Sequence, residues 1–192
     1  FRSKAVLIFS GAGILAAIIG FAAQSAISNL IAGAFIVIFK PFRVGDFIKL
    51  DGERIGIVED INLRHTIINN FENKRLIIPN SIISTESVLN HTIEDRNILG
   101  FIEFRIGVYA NIDIARKIIV EETLELDGVI DLRTPEEVLN NEPQIIVKVI
   151  GIDNDAIKLR AYIWVLNPIE EYNVRYQLNE NVHKRFIKEG IE

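Results

Sequence analysis

Residues 5–39 read AVLIFSGAGILAAIIGFAAQSAISNLIAGAFIVIF, without a single charge. More than about 18 consecutive apolar residues predict a transmembrane helix. At about 1.5 Å per residue this run would reach roughly 50 Å, against a hydrocarbon core of about 30 Å, so it must tilt strongly or break. Gln24, Ser25, Ser28 and Asn29 are the polar residues of its second half and cluster near its start. They predict a break there, with a span over 5–24 and a second helix over 26–39, lying near the membrane surface or against other protein.

The first half is rich in small residues: Ser10, Gly11, Ala12, Gly13, Ala16, Ala17, Gly20, Ala22 and Ala23. Glycine is costly inside a helix, and a helix surrounded only by lipid has no use for it. Ala12, Ala16 and Gly20 recur every four residues, a spacing that lets helix backbones approach closely in a membrane. Gly13 and Gly20 repeat at seven on one stripe. The segment is therefore built to pack against other helices on more than one side. A single helix in a symmetric ring around a pore meets that description, and so does a tightly packed helix of a multi-span protein.

Arg2 and Lys4 precede the run as in a secretory signal peptide, but a signal core has only about 7–15 apolar residues. The chain opens at Phe1 rather than Met, which predicts a fragment whose preceding spans are missing. Beyond residue 39 the chain reads as soluble and carries almost all the charge. The net charge of −5 gives no support to a nucleic-acid partner, which favours a basic domain. With no Cys, disulfides, thiolate metal sites and cysteine nucleophiles are excluded. The roughly 150 residues that remain suffice for one or two small domains with cores of their own.

Lys40-Pro41-Phe42-Arg43-Val44-Gly45-Asp46 ends the apolar segment, because Pro41 cannot continue the helical ladder and biases Lys40 away from helix. Lys40, Arg43 and Lys49 put positive charge just past the membrane and predict a cytoplasmic side there, although Arg2 and Lys4 oppose this. Short strands follow: 46–50, an Asp51-Gly52 turn, 54–63, 64–69, a polar turn at 69–73, 74–78 closed by Pro79-Asn80-Ser81, and a fifth over 88–92. Their spacing suggests a small β-barrel. The period then changes. A long strand over 98–108, with apolar character on both faces, precedes a helix capped by Asn111 or Asp113 and running to about Leu126. Strands over 144–150 and 156–165 are joined by Asp153-Asn154-Asp155. A last helix over 170–188 carries the ridge Val174, Leu178, Val182 and Phe186, with Gly190 as its C-cap. The order βαββα predicts helices on one face of an antiparallel sheet.

The stretch Gln24-Ser25-Ala26-Ile27-Ser28-Asn29-Leu30-Ile31-Ala32-Gly33, the junction Lys40 to Asp46, Ile77-Ile78-Pro79-Asn80-Ser81 and Asn90 together resemble the small-conductance mechanosensitive channel (MscS-like) family. The resemblance runs from about Gly11 to Asn90 and continues by element order to about Gly190. It implies a membrane protein in three parts: a kinked pore-lining helix over 1–39, a small Sm-like β-barrel over 40–92, and a ferredoxin-like α+β domain over 93–192. The last two would form a hollow cytoplasmic vestibule with side portals. It implies a homo-oligomer, a heptamer, in the bacterial inner membrane or an organelle membrane. Membrane lipid would be its partner, and tension would open it to release ions and small osmolytes in hypo-osmotic shock. The kink would fall at Ser25, flanked by Gln24 and Asn29. The two rings of large apolar residues that seal such pores would fall on Ala17 and Phe21. Gly13 would share the pore face, Ala16 and Gly20 would serve helix packing, and Pro41, Phe42, Arg43 and Gly45 would form the junction. Ala17 is small for a seal, so Phe21 alone, or Ile14 or Ile18 turned inward, is expected to gate. The extra C-terminal strand found in many relatives does not follow Glu192, and the first two spans are absent.

Competing readings are a ligand- or partner-gated channel of the same family and a membrane-anchored scaffold, for example an RNA-binding Sm-like ring, which the acidic balance opposes. An enzyme is not expected. His65, His91 and His183 lack metal-ligand spacing, and no nucleophile elbow, Walker or Rossmann glycine pattern is present. The acidic pairs Glu59-Asp60, Glu94-Asp95, Glu121-Glu122 and Glu170-Glu171 read as solvated surface. No cofactor or metal is expected.

Overall fold

The computed structural model describes residues 2–52, 54–93 and 95–191, with the side chains of the first helix described from Ala12 onward. The side chains of Arg2 and Lys4, and all of Glu94, lie outside the described residues. The chain divides into two compact units, Phe1–Ile93 and Glu94–Glu192.

Helix α1 (Arg2–Phe39) is one element of 38 residues. It replaces the two helices expected to meet at 24–26. The physical reason is local. No proline interrupts the run. Asn29 Nδ2 donates back to the Ser25 carbonyl at 2.8 Å, a contact that fits inside a regular helix. Ala12–Phe39 is long and apolar enough to cross a membrane, and from Ala12 to Ser28 none of its residues is buried.

The rest of the first unit is a five-stranded antiparallel sheet, ordered β4-β3-β2-β1-β5. Its strands are β1 (Phe47–Lys49), β2 (Ile55–Ile61), β3 (His65–Asn69), β4 (Arg75–Pro79) and β5 (Leu89–Asn90). Turn chemistry sets the register. Gly52 supplies φ +80° between β1 and β2. Between β3 and β4, Asn70 Oδ1 accepts from Glu72 N (3.0 Å) and Lys74 N (2.9 Å), while Asn73 takes φ +58°. A bulge at Val58–Asp60 shifts β2 against β3. Alternate residues point inward, so Ile48, Leu50, Val58, Ile68 and Ile78 form one core with Ile36 of α1, Phe42 and Ile83. Four residues, Asn80–Ile83, read as part of a turn, form the short helix α2.

The second unit has a three-stranded antiparallel sheet in the order β6-β8-β7. It comprises β6 (Ile98–Gly107), α3 (Ile112–Leu124), α4 (Pro135–Leu139), β7 (Ile146–Ile152), β8 (Ala156–Val165) and α5 (Pro168–Glu189). This is the expected βαββα order with one added short helix. The inward faces Ile102, Phe104, Ile106 and Ile157, Leu159, Ala161, Ile163 meet Ile118 and Ile119 of α3 and the predicted ridge Val174, Leu178, Val182, Phe186 of α5. Asn111 caps α3 through Asp113 N and Ile114 N. Asn167 caps α5, which starts at Pro168, and Gly190 ends it at φ +68°.

Candidate functional site

From Ala12 to Phe21 helix α1 stands exposed. Gly13, Ala16, Ala17, Gly20 and Phe21 are exposed, Phe21 to 77 %. A Cβ built on Gly13 or Gly20 would meet nothing within 4 Å. Ala17 and Phe21 share one helix face at four-residue spacing, and Ala16 and Gly20 share the neighbouring one. Gln24 and Ser25 are exposed as well. Ser25 lines a cavity of about 450 Å³ with Ala22, Ala26, Asn29, Arg64 and His65.

The second half of α1 is held down by a stripe of four residues. Asn29, Ala32, Gly33 and Ile36 are buried at the spacing of one helix face. Ile36 enters the core of the five-stranded sheet. Gly33 allows the closest approach, since a Cβ there would lie 2.5 Å from Asn80 Nδ2 and 2.6 Å from the Leu63 carbonyl oxygen. Asn80 is fully buried, and its polar groups are satisfied. Its backbone N–H donates to Arg64 O (2.9 Å), Nδ2 donates to Asn62 O (2.8 Å), and Oδ1 accepts from Thr66 Oγ1 (2.9 Å). One residue on, Ser81 donates from both N (3.0 Å) and Oγ (2.9 Å) to Asn29 Oδ1. The polar residue expected to mark a kink is therefore an anchor that ties α1 to the start of α2.

The junction is built as tightly. Lys40 takes φ +50° and its N–H still reaches Ile36 O at 2.9 Å, turning the chain out of the helix. Pro41 is exposed, and Phe42 is driven into the core at 1 % exposure. Gly45 supplies φ +93° in the turn from Arg43 to Asp46 and donates to Val58 O (2.8 Å). Asp46 Oδ2 accepts from Arg43 N (2.9 Å) and Asn90 Nδ2 (2.8 Å), and Asn90 Nδ2 also reaches Pro41 O (3.2 Å). Strand β5 thus locks the turn that leaves the helix.

Of the acidic residues singled out in the sequence, Glu59, Glu121, Glu122 and Glu171 are engaged in structural contacts. Glu59 pairs with Arg75 at 2.9 Å, Arg185 of α5 bridges Glu121 and Glu122 of α3, and Glu171 binds Arg175. The bond to Glu122, then that to Glu121, raises the Arg185 guanidinium above its usual range. His65 lies in β3, His91 just after β5 and His183 in α5. Among the described residues no group of three His, Asp or Glu converges as a metal site would require.

Residues 25–93 match the profile of the mechanosensitive ion channel beta-domain, and residues 102–192 match that of the MscS C-terminal domain. The chain belongs to the MscS family of mechanosensitive ion channels. An uncharacterized MscS family protein of Archaeoglobus fulgidus is 30 % identical over 180 residues, covering 94 % of this chain and 59 % of that protein. The small-conductance mechanosensitive channel MscMJ of Methanocaldococcus jannaschii is 29 % identical over 191 residues, covering 96 % of this chain and 50 % of its own. The chain therefore spans little more than half the length of these relatives. The fold resembles the closed-state crystal structure of Helicobacter pylori MscS, with a TM-score of 0.78 at 18 % identity over 96 % of this chain and 68 % of that one. MscS channels are membrane proteins, and α1 supplies a helix able to cross the bilayer.

Ser81, Thr66 and Asn62 give no local signal of the anchor, because their partners lie 14 to 52 residues away. A glycine at a buried helix position was the available signal for close approach.

Proposed function

We propose that this chain is the pore-lining helix and cytoplasmic portion of a channel that membrane tension opens. The observation that carries this reading is the contrast along α1. Residues 29–36 are clamped to the β-domain, whereas Ala12 to Phe21 of the uncharged segment before them are exposed. Such a surface is stable only against lipid or other helices. Several copies in a ring, seven by family resemblance, would cover it and enclose a pore. The membrane would be the cell membrane, with the β and α+β units in the cytoplasm.

A ring of Phe21 side chains would narrow that pore until water leaves it, a closure that needs no charge. Ala17, one turn earlier, adds little bulk, and Gly13 leaves the pore face open above it. Tension favours the state of larger in-plane area and acts only through the difference between states. Tilting of the helices on their Ala16 and Gly20 faces would withdraw Phe21. Bending at Gln24 and Ser25, just above the Asn29 anchor, would let the upper helix move while the lower one stays docked. Ions and small osmolytes would then pass, as hypo-osmotic shock demands. The test is patch-clamp recording of the full-length parent protein in liposomes under stepped suction. Tension-dependent unitary openings are expected, and silence from a verified ring would refute the reading.

A further inference from the structure

The cavity of about 450 Å³ between α1 and strands β3 and β4 divides by chemistry. Its polar wall is Arg64 and His65, where β3 begins, and Ser25 and Asn29 of α1. Its apolar wall is Ala22, Ala26, Ile77 and Pro79, and no carboxylate lines it. We infer that this cavity binds an amphiphilic anion, a phosphate ester with an apolar group, whose phosphate sits on Arg64.

Arg64 carries the argument. Its side chain makes no hydrogen bond or ion pair among the described residues, whereas Arg54 and Arg75 of the same unit are held by Glu86 and Glu59. A guanidinium offers a planar fork of N–H donors that matches a phosphate. The carboxylate nearest in sequence, Asp60, is already engaged: Oδ1 accepts from Ile61 N (2.9 Å) and Oδ2 from Asn62 Nδ2 (2.8 Å). The same Asn62 Nδ2 lies 3.3 Å from His65 Nε2. An amide nitrogen only donates, so Nε2 accepts and the neutral ring keeps its hydrogen on Nδ1. Nδ1 is enclosed and has no partner among the described residues. An oxyanion seated on Arg64 brings the acceptor that this wall lacks. On the helix side Asn29 Oδ1 is taken by Ser81, and one Nδ2 hydrogen by Ser25 O, which leaves the second N–H. The Ser25 hydroxyl is also unbonded among the described residues. Size and the apolar wall exclude a bare ion as the best fit. The volume lies within the range of about 300–1,000 Å³ usual for organic ligands, and such sites pair apolar walls with a few polar groups. Ala22 and Ala26 belong to the segment able to cross a membrane. The ester could therefore be the head of an anionic phospholipid or a soluble molecule with the same chemistry.

The site would have a consequence for regulation, which rests on the tension reading above. A ligand held by both walls ties Arg64 to Ser25, one helical turn before the Asn29 anchor. Bending at Gln24 and Ser25 would have to break that tie, so an occupied cavity would raise the tension needed to open the channel.

Native mass spectrometry of the full-length parent in detergent reads binding directly, with phosphatidylglycerol and butyl phosphate as the two probes. Arg64→Gln is expected to bind about tenfold or more weakly, because it removes charge-assisted hydrogen bonds. Arg75→Gln, whose guanidinium pairs with Glu59 instead, should bind as the parent does. Ala26→Phe keeps every charge and fills the apolar wall, so it should weaken binding too, and it replaces Arg64→Gln as the test should that variant assemble poorly. Loss confined to phosphatidylglycerol assigns the membrane as the source, and loss of butyl phosphate as well shows that a soluble ester suffices. Unchanged affinity of the assembled variant for both probes would overturn the site. Binding does not depend on opening, so Arg64-dependent binding by a protein that stays silent under suction would refute the tension reading and leave the site standing.

Discussion

Gly33→Ala adds one methyl group to the face of α1 that docks on the β-domain. In an isolated helix the change is favourable by about 1 kcal/mol, because alanine is the better helix former. Here the new Cβ would stand 2.5 Å from Asn80 Nδ2 and 2.6 Å from Leu63 O. Non-bonded heavy atoms settle about 3.5 Å apart, so the helix or its seat must yield by about 1 Å. Neither neighbour moves freely. The Leu63 oxygen is backbone, and the Asn80 amide is held by its bond to Asn62 O at 2.8 Å. Overpacking costs about 1–3 kcal/mol, and breaking the bond of a fully buried amide costs about 1–3 kcal/mol more. Against the propensity gain, the net loss of docking is about 3 kcal/mol, or roughly 150-fold in the ratio of docked to undocked helix. Hydrogen exchange of the detergent-solubilised parent measures this directly. The Ser81 amide is bonded to Asn29 Oδ1 only while the helix is docked, so its exchange should quicken by about tenfold or more. Exchange that is unchanged or slower would refute the claim that Gly33 exists for close approach.

Phe21→Ser should lower the tension at which the channel opens, because a hydroxyl rewets the constriction. An unchanged threshold in single-channel recording would remove Phe21 from the gate. Asp131, Glu137, Asp153 and Glu180 are all held below the ordinary carboxylate range, by hydrogen bonds from Arg133, Thr134, Lys158 and Lys184 respectively. Their folded-state values are depressed, so their contribution is complete above about pH 5 and is lost as the pH falls through those lower values. Fluorescence of Trp164, the chain's one tryptophan, should therefore report unfolding of the second unit only below about pH 4, and a transition between pH 5 and 7 would contradict the assignment. Asn167→Ala removes the oxygen that accepts from Ile169 N (2.9 Å) and Glu170 N (3.0 Å). It should cost about 1 kcal/mol and lower the melting temperature of that unit by about 4–8 °C by the same fluorescence signal.

Periodicity carried most of the fold. The ridge Val174, Leu178, Val182, Phe186 and the alternation along Ile98–Gly107 are both buried as their spacing predicts. Caps and turns marked the boundaries, because Asn111, Gly190 and Gly52 act within a few residues of themselves. What escaped was short or non-local. Helices α2 and α4 have 4 and 5 residues, too few for a period to emerge, although Thr134 and Glu137 form a capping box that could have been read. The bulge between Val149 and Gly151 lets β7 run to Ile152, beyond its expected end at 150. Of the polar residues that predict a break in α1, Asn29 bonds outward to Ser81 and back onto the helix at Ser25. Polarity alone does not distinguish a disrupted ladder from an anchored one.

The glycines of α1 show why the candidate site was only half legible. Each costs the helix about 1 kcal/mol relative to alanine, so each needs an offsetting contact. For Gly33 that contact lies within the chain, at Asn80 and Leu63. For Gly13 and Gly20 the chain offers nothing within 4 Å. Their small size, and that of Ala16 between them, meets no close contact among the described residues. The helix thus divides by where its stability comes from: below Asn29 from its own β-domain, above it from surfaces outside the described residues. Phe21 falls in the upper part, exposed among small residues, which is the position a gate supplied by neighbouring copies would occupy.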